Sequence, residues 1–146
     1  MSSGTILITE NLTSSQIDEL HELYKDMWWS RDRTKDEINT LLKTCFCFAA
    51  VDQQTKRLIG FTRILSDEMR YAYIYDLMVP ENLRSRGIGQ MLMEHVLHHP
   101  KLKNVKYVEL TCAPNMAAYY EKFGFSKDYG SVVAMRSLNQ CYDYCV

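Results

Sequence analysis

The sequence has few of the residues that break a chain into separate domains, with 3 prolines and 6 glycines among 146 residues. It contains no internal repeat, no low-complexity tract and no linker rich in proline, glycine or serine. Its length is close to the roughly 150 residues of one typical domain. We therefore expect a single domain over residues 1–146, large enough to fold around its own core without a disulfide or a metal.

A surplus of charge and a long apolar run are also missing. Lysine and arginine number 17, aspartate and glutamate number 18, and the net charge is -1, which lacks the basic surface of a dedicated nucleic-acid binder. No apolar run approaches the ~18 residues of a membrane span. The first residues, Met-Ser-Ser-Gly-Thr, do not resemble a signal peptide. These absences predict a cytoplasmic protein with no nucleic-acid partner and no membrane partner.

The five cysteines form neither a disulfide framework nor a complete metal site. An odd number of cysteines in a chain without a secretion signal favours reduced thiols. Cys141 and Cys145 have a spacing that two zinc ligands could share, but no second Cys/His pair with ligand spacing accompanies them. No metal is therefore expected.

Hydrophobic periodicity predicts the element order β-α-α-β-β-β-α-β-α-β. Two capping boxes, Ser15-x-x-Asp18 and Thr34-x-x-Glu37, mark the starts of two helices. Patterns of β-branched and apolar residues, turn residues and prolines predict the remaining elements: strands over 5–9, 46–51, 58–65, 71–79, 105–111 and 131–137, and helices over 88–99 and 115–123. A strand-helix-strand unit in the second half indicates a mixed α/β sheet with helices packed on its faces.

The segment Arg84-Ser-Arg-Gly-Ile-Gly89, which we call the glycine loop, joins the fourth strand to the third helix. Gly87 and Gly89 can take positive φ and allow a ligand to approach the backbone closely. The following helix directs its first N–H groups and the positive end of its dipole to the same place. Guanidinium groups from Arg84 and Arg86 suit phosphate oxygens. The loop therefore predicts a pyrophosphate cradle, with an ordinary βα turn and two solvated arginines as the alternative.

Two nucleotide-binding motifs are excluded at this loop. A Walker loop needs Gly-Lys-Ser/Thr, but Gln90 and Met91 follow Gly89. A dinucleotide fingerprint needs a third small residue at the position that Leu92 occupies.

The pattern that remains, Arg84-x-x-Gly87-x-Gly89, resembles the acetyl-CoA signature Arg/Gln-x-x-Gly-x-Gly/Ala of the GCN5-related N-acetyltransferase (GNAT) superfamily. Two further blocks are similar in order and spacing. Leu77-Met-Val-Pro80 resembles the strand that hydrogen-bonds the pantetheine arm in that family, and residues 115–125 resemble the block in which Asn and Tyr flank the cofactor before a Gly-Phe. The element order agrees from residue 5 to residue 137.

The resemblance implies the GNAT acyl-CoA N-acyltransferase fold, with a mostly antiparallel mixed sheet that splays between strands 4 and 5. It implies an enzyme that moves the acetyl group of acetyl-CoA to a primary amine, of a small molecule or an exposed protein amine, by direct attack in a ternary complex. Family members often form homodimers, so a homodimer is one expectation. The implied cofactor-binding residues are Leu77, Met78, Val79, Arg84, Ser85, Arg86, Gly87, Ile88, Gly89, Asn115 and Tyr120.

Two residues are predicted to be catalytic. Tyr120 aligns with the family's tyrosine four residues before Gly124, and its phenol, with a pKa of ~10, would protonate the leaving thiolate. The alternative is a packed core tyrosine. Asp76 lies in an apolar strand where aspartate is disfavoured, and it resembles the acidic residue of polyamine acetyltransferases. It is a candidate base, with a structural aspartate at a bulge or an ordered water chain as the alternatives.

The predicted acceptor-binding residues are two adjacent tryptophans, which cannot both face the core, one arginine and two tyrosines that alternate along one strand face: Trp28, Trp29, Arg63, Tyr73 and Tyr75. The identity of the amine is not encoded in any motif. Two alternative functions remain: a non-catalytic acetyl-CoA-binding sensor or scaffold, and an acyltransferase that uses a longer acyl-CoA.

Overall fold

The computed structural model describes residues 4–138, and the chain divides into two compact units, Met1–Thr111 and Cys112–Val146. The first unit contains β1 (Ile6–Thr9), α1 (Ser14–Asp26), α2 (Lys35–Thr44), β2 (Phe46–Asp52), β3 (Leu58–Ser66), β4 (Tyr71–Met78), α3 (Ile88–Leu97) and β5 (Tyr107–Glu109). The described part of the second unit contains α4 (Ala117–Glu121). A single domain over the whole chain stays a prediction.

The sheet has five strands in the order β1-β2-β3-β4-β5. The pairs from β1 to β4 are antiparallel, and β4 pairs with β5 in parallel. The β4–β5 pairing covers only Tyr71↔Tyr107 to Tyr73↔Glu109, so the second half of β4 has no partner in β5. This arrangement confirms the predicted mixed, mostly antiparallel sheet and its separation between the fourth and fifth strands.

The first helix starts two residues earlier than predicted. Thr13 is its N-cap: the Thr13 hydroxyl accepts from the Gln16 backbone N–H at 3.2 Å, and Gln16 Oε1 accepts from the Thr13 N–H at 2.9 Å. Glutamine thus takes the place of glutamate in a capping box, and the predicted box at Ser15 and Asp18 is wrong. The second predicted box, between Thr34 and Glu37, is confirmed.

Helices α1 and α2 contribute to the main apolar cluster, which also contains side chains from β2, β3 and β4. Its buried members are Leu20, Leu23, Tyr24, Ile38, Leu41, Cys47, Ala49, Val51, Leu58, Phe61 and Met78. Burial of this surface is the main free-energy gain that holds the two helices to the sheet.

Helix α3 packs closely against β3 because Gly60 has no side chain. A Cβ at Gly60 would lie 2.9 Å from Cγ2 of Ile88 and 3.0 Å from Cδ1 of Leu92. Carbon atoms pack best at about 3.5–4.0 Å, so only glycine fits here without a shift. The start of α3, and with it the glycine loop, is therefore positioned directly by the sheet.

Two further predicted details differ from the structure, and a third agrees with it. Residues 131–137 form no strand in the described chain, and Val133 and Met135 are 80% and 91% exposed. Residues with high β propensity form a strand only when a neighbouring strand supplies hydrogen-bond partners, and the described chain pairs none with this segment. Pro114–Met116 is a short 3-10 turn in which Asn115 makes no cap. Gly124 takes the predicted left-handed conformation, with φ of 90°.

Among residues 4–138, none of the helices is both long enough and apolar enough to span a membrane.

Candidate active site

The glycine loop follows β4 through a tight turn. Pro80 precedes a 3-10 turn over Glu81–Leu83, and Arg84 folds back so that its Nε donates to the Val79 carbonyl at 3.0 Å. Ser85 and Gly87 both have positive φ, at 64° and 83°. Gly87 then serves as the N-cap of α3 without a side-chain cap.

This turn leaves a row of backbone donors without acceptors. The first N–H of the α3 region that is paired belongs to Met91, which donates to the Gly87 carbonyl at 3.0 Å. The backbone N–H groups of residues 85–90 donate no hydrogen bond to any residue between 4 and 138. A Cβ added at Gly87 would meet no atom within 4 Å, so the space in front of the loop is open. Unpaired N–H groups at a helix N-terminus bind anions.

Only one of the two loop glycines uses its freedom to take positive φ. Gly89 lies in the first turn of α3, and the described glycines with positive φ are at positions 87, 124 and 130. The left-handed turn needs only Gly87, with Ser85 before it.

A β-bulge shapes the end of β4. Phe61 pairs with Met78, but Arg63 pairs with Tyr75, so β4 has one more residue than β3 between these two pairs. Asp76, in this interval, has a φ of 57°, a conformation that aspartate tolerates better than most residues. Thr62, which is fully buried, donates from its hydroxyl to the Tyr75 carbonyl at 3.0 Å. The Tyr75 carbonyl at the bulge therefore has a side-chain donor.

The Asp76 carboxylate is the centre of a cluster of polar side chains. Its Oδ2 accepts from Tyr24 Oη at 2.6 Å, from Arg33 Nη1 at 3.0 Å and from Arg63 Nε at 2.5 Å. Nη1 of Arg63 also contacts Cys45 Sγ at 3.4 Å. We call Tyr24, Arg33, Cys45, Arg63 and Asp76 the Asp76 cluster. Its partners are side chains, not the backbone amides expected for a structural aspartate at a bulge.

Charge compensation makes this burial tolerable. The Asp76 side chain is 7% exposed, and a buried carboxylate is destabilising unless it is paired and hydrogen-bonded. Burial, together with the charge and hydrogen bond of Asp76, raises the pKa of Tyr24 well above its usual range. Burial alone would lower the pKa of Arg63, but the hydrogen bond and charge of Asp76 outweigh it and raise that pKa. Tyr24 is thus a neutral donor and Arg63 a permanent cation.

Aromatic rings border the Asp76 cluster. The guanidinium of Arg33 lies 4.6 Å from the Tyr24 ring centre, and that of Arg63 lies 4.6 Å from the Tyr75 ring centre. The Tyr73 and Tyr75 rings are 4.5 Å apart. On the other side, Trp29 meets the Tyr24 ring edge to face at 6.4 Å.

The structure therefore brings several predicted residues together and leaves others apart. Asp76, Arg63, Tyr75 and Tyr73 form one continuous group, and Trp29 joins it through Tyr24. Trp28 is 76% exposed and has no aromatic contact among the described rings.

Sequence reasoning missed Tyr24 and Arg33 as site residues. They lie 52 and 43 residues from Asp76 along the chain. One signal pointed to Tyr24, because a tyrosine in the apolar stripe of a helix needs a partner for its hydroxyl.

The second unit holds the remaining predicted site residues. Asn115 is exposed in the 3-10 turn, and Tyr120 lies in α4 with its ring 5.2 Å from that of Tyr119 and 6.3 Å from that of Phe125. Burial, and to a smaller degree Tyr119 and Cys112, raises the pKa of Tyr120 to about 12. The phenol therefore keeps its proton at neutral pH, as the assignment of a general acid requires.

A family model named acetyltransferase (GNAT) family matches residues 14–125, a range that includes the Asp76 cluster, the glycine loop and Tyr120. The chain belongs to the GNAT acetyltransferase family. Both the predicted family and the predicted enzyme class are thereby confirmed.

Relatives and solved structures of this GNAT acetyltransferase agree with the assignment. The uncharacterized N-acetyltransferase ycf52 of Porphyra purpurea is 25% identical over 86% of this chain and 73% of its own length. A GNAT-family acetyltransferase structure from Streptococcus pneumoniae has a TM-score of 0.72 at 21% identity, covering 93% of this chain and 98% of that one. The aminoglycoside N-acetyltransferase AAC(6')-Iy, solved in complex with CoA, has a TM-score of 0.69 at 15% identity, covering 92% and 96%.

The GNAT glycine loop fits the diphosphate of a CoA thioester. The free N–H groups of residues 85–90 supply donors, the open space at Gly87 supplies access, and the Arg84 guanidinium is held beside the loop. The individual site residues, a cytoplasmic location and a homodimer stay predictions. Cys141 and Cys145 lie outside the described residues.

Proposed function

We propose that this protein transfers the acetyl group of acetyl-CoA to a primary amine by direct attack within a ternary complex. The observation that supports this most is the run of unpaired backbone N–H groups over residues 85–90, a few residues after a bulge that presents a buried carboxylate. A phosphate-binding loop next to an acid-base group is what acetyl transfer from a CoA thioester needs.

The chemistry assigns tasks to particular groups of the chain. Acetyl-CoA supplies the acetyl group as a thioester. A primary amine has a pKa near ~10 and arrives protonated, so the site must accept that proton before the nitrogen attacks the carbonyl carbon. The carbonyl oxygen then becomes an oxyanion, for which we assign the backbone N–H of Leu77 or Met78 as donor. These residues lie in the half of β4 that has no partner in β5.

Asp76 is our candidate for the base. Its Oδ2 already accepts three hydrogen bonds, whereas its Oδ1 accepts none from residues 4–138. Because all described side-chain oxygens that are shut off from solvent have partners, Oδ1 reaches solvent. It is therefore the oxygen that would receive a proton from the amine, directly or through water.

Tyr120 is our candidate for the acid. When the tetrahedral intermediate collapses, the C–S bond breaks and the thiolate takes a proton from the phenol. The nitrogen then loses its second proton, which leaves a neutral amide and restores the phenol. A phenol pKa of about 12 keeps that proton in place until the thiolate forms.

Titration calorimetry with acetyl-CoA, followed by release of CoA in the presence of amines, tests the proposal. CoA is best quantified by chromatography, because Cys112 is exposed and would react with a thiol reagent. Absence of saturable heat at millimolar acetyl-CoA would overturn the proposal. Binding without CoA release across polyamines, amino acids, arylalkylamines, aminoglycosides and peptide N-termini would favour the sensor or scaffold. Turnover only with longer acyl-CoA thioesters would favour the other alternative.

Two substitutions test the assigned roles. Tyr120→Phe should lower turnover by about 10²–10⁴-fold and leave the affinity for acetyl-CoA unchanged, and unchanged turnover would show that Tyr120 is not the acid. Asp76→Asn should remove the pH dependence of turnover that the carboxylate base produces. Full activity from about pH 6 to 9 would show that another group or a water chain takes the proton.

A further inference from the structure

The Asp76 cluster holds more positive than negative charge. Arg33 and Arg63 share the single carboxylate of Asp76. Tyr24 stays neutral because its pKa is raised by burial and by Asp76, and burial likewise raises the pKa of Cys47 to about 12. Glu37 is another acidic group that interacts with Arg33.

Glu37 does not cancel this surplus. Its side chain lies on the exposed start of α2, where Glu37 Oε2 accepts from the Thr34 backbone N–H at 2.6 Å in the capping box. A solvent-exposed carboxylate is strongly screened by water. Within residues 4–138, the two guanidinium groups therefore share one buried carboxylate, and neither has a second ion-pair partner as buried as Asp76.

Both arginines keep unused donors that are open to solvent. Arg33 donates through Nη1 and Arg63 through Nε and Nη1. The remaining guanidinium nitrogens, Nε and Nη2 of Arg33 and Nη2 of Arg63, donate to no acceptor among residues 4–138. Each buried side-chain nitrogen of the described chain has a partner, so these nitrogens are accessible. The Arg33 side chain is 24% exposed and the Arg63 side chain 16% exposed. This partial burial holds the donors in place and leaves them accessible to a ligand.

The location links these donors to the acetyl acceptor. Asp76 directly precedes Leu77 and Met78, the residues to which we assign the oxyanion donor. Rings of Tyr24 and Tyr75 lie against the two guanidinium groups and limit their movement. Charge-assisted hydrogen bonds to a fixed, partly buried arginine are stronger than those to an arginine in open water.

We propose that the acceptor carries an anionic group, a carboxylate or a phosphate, in addition to its amine, and that Arg33 and Arg63 bind this group. The proposal rests on the proposed acetyl transfer and names the class of its acceptor. It predicts that amines without an anionic group, polycationic amines included, are poor substrates. Arg33 is the more sensitive position to test, because two nitrogens of Arg63 already have partners in the cluster, Nε with Asp76 and Nη1 with Cys45.

Matched amine pairs test the proposal in two independent readouts. O-Phosphoethanolamine is compared with ethanolamine, and β-alanine with β-alaninamide, so that each pair differs only in the anion. The first readout is kcat/KM for CoA release. The second is quenching of tryptophan fluorescence, which needs no turnover and is local because Trp29 contacts Tyr24. We expect the anionic member of at least one pair to be favoured by about 10-fold to 100-fold in both readouts. The pair that is favoured distinguishes phosphate from carboxylate.

Arg33 variants assign the effect to the cluster. Arg33→Gln should remove the preference by raising KM for the anionic amine, with the affinity for acetyl-CoA unchanged, and Arg33→Lys should restore part of it. Arg31→Gln is the control, because Arg31 is an exposed arginine in the same segment, and it should keep the full preference.

Several outcomes would overturn the proposal. These are equal or better use of ethanolamine and β-alaninamide, absence of saturable quenching by both anionic probes, or a preference that survives in Arg33→Gln. A loss of preference in Arg31→Gln as large as in Arg33→Gln would also overturn it. Failure of the acetyl-transfer proposal is seen separately, as absence of acetyl-CoA binding, while the fluorescence readout still reports whether the anion binds.

Discussion

Replacing Gly60 with alanine tests how tightly α3 is held against the sheet. The added Cβ would lie 2.9 Å from Cγ2 of Ile88 and 3.0 Å from Cδ1 of Leu92. The Leu92 atom is at the end of its side chain, but the Ile88 methyl is attached to Cβ and moves only with the helix or with an unfavourable rotamer. Because Ile88 directly follows Gly87, relief by a shift of α3 also moves the N–H donors of the glycine loop.

The size of the effect follows from these distances. The Cβ is roughly 0.5 Å closer than carbon atoms pack well, and one extra methyl in a close-packed core typically costs about 1–3 kcal/mol. Alanine also lowers the conformational entropy of the unfolded chain, which offsets about 0.4–1 kcal/mol of this loss in stability. We expect the free energy of unfolding to fall by about 1–2 kcal/mol and Tm by roughly 3–6 °C.

Urea unfolding and acetyl-CoA titration measure the two consequences. The unfolding midpoint should fall with an unchanged m-value, and the affinity for acetyl-CoA should weaken at a temperature where the variant is fully folded. In an Ile88→Ala background the clashing methyl is gone, so Gly60→Ala should cost at least ~0.5 kcal/mol less than in the wild type. A fully additive double variant, or a Gly60→Ala protein as stable as the wild type, would refute the close-packing argument.

Three further predictions follow from other parts of the structure. Tyr24→Phe should lower the free energy of unfolding by about 1.5–3 kcal/mol, because the buried Asp76 carboxylate loses a donor; urea unfolding that shows no change would contradict this. If Tyr120 is the acid, kcat should not decline up to about pH 10, since the phenol pKa is about 12, and a falling limb near pH 8 that is absent in Tyr120→Phe would contradict it. The raised pKa of Tyr120 also affects stability. Its contribution to the free energy of unfolding is complete below about pH 10, the pKa of tyrosine in the unfolded chain, and is lost as the pH rises toward 12. At about pH 8, iodoacetamide should modify exposed Cys112 at least ~100-fold faster than Cys47, because the buried Cys47 thiol has a pKa of about 12. Peptide mass spectrometry measures the two rates, and equal rates would show that Cys47 is accessible.

The glycine loop could be predicted from the sequence because its physical causes are local. A proline that ends a strand, a left-handed glycine and the first turn of a helix occupy consecutive positions, so spacing alone defines the arrangement. Sequence spacing does not show which of the two glycines takes the left-handed conformation and which lies in the helix; the structure assigns the first role to Gly87 and the second to Gly89.

The Asp76 cluster could be predicted only in part. An aspartate within an apolar strand indicated a buried charge, but its partners come from elements far away in the chain. The bulge changes the β3–β4 register by one residue, which period-two reasoning does not reveal. Similarly, the apolar run Val132-Val-Ala-Met135 within residues 131–137 favours a strand, yet strand formation depends on a neighbour that the local sequence does not specify.

The meeting of three donors on one oxygen of Asp76 has a consequence for how the protein folds. The donors come from α1, from the segment before α2 and from β3. A partly folded chain that has assembled only some of them would confine an ionic group away from water without its counterparts, which is unfavourable. We therefore expect these three segments to dock around Asp76 cooperatively and late in folding. The site that binds the substrate would then form only in the fully folded chain.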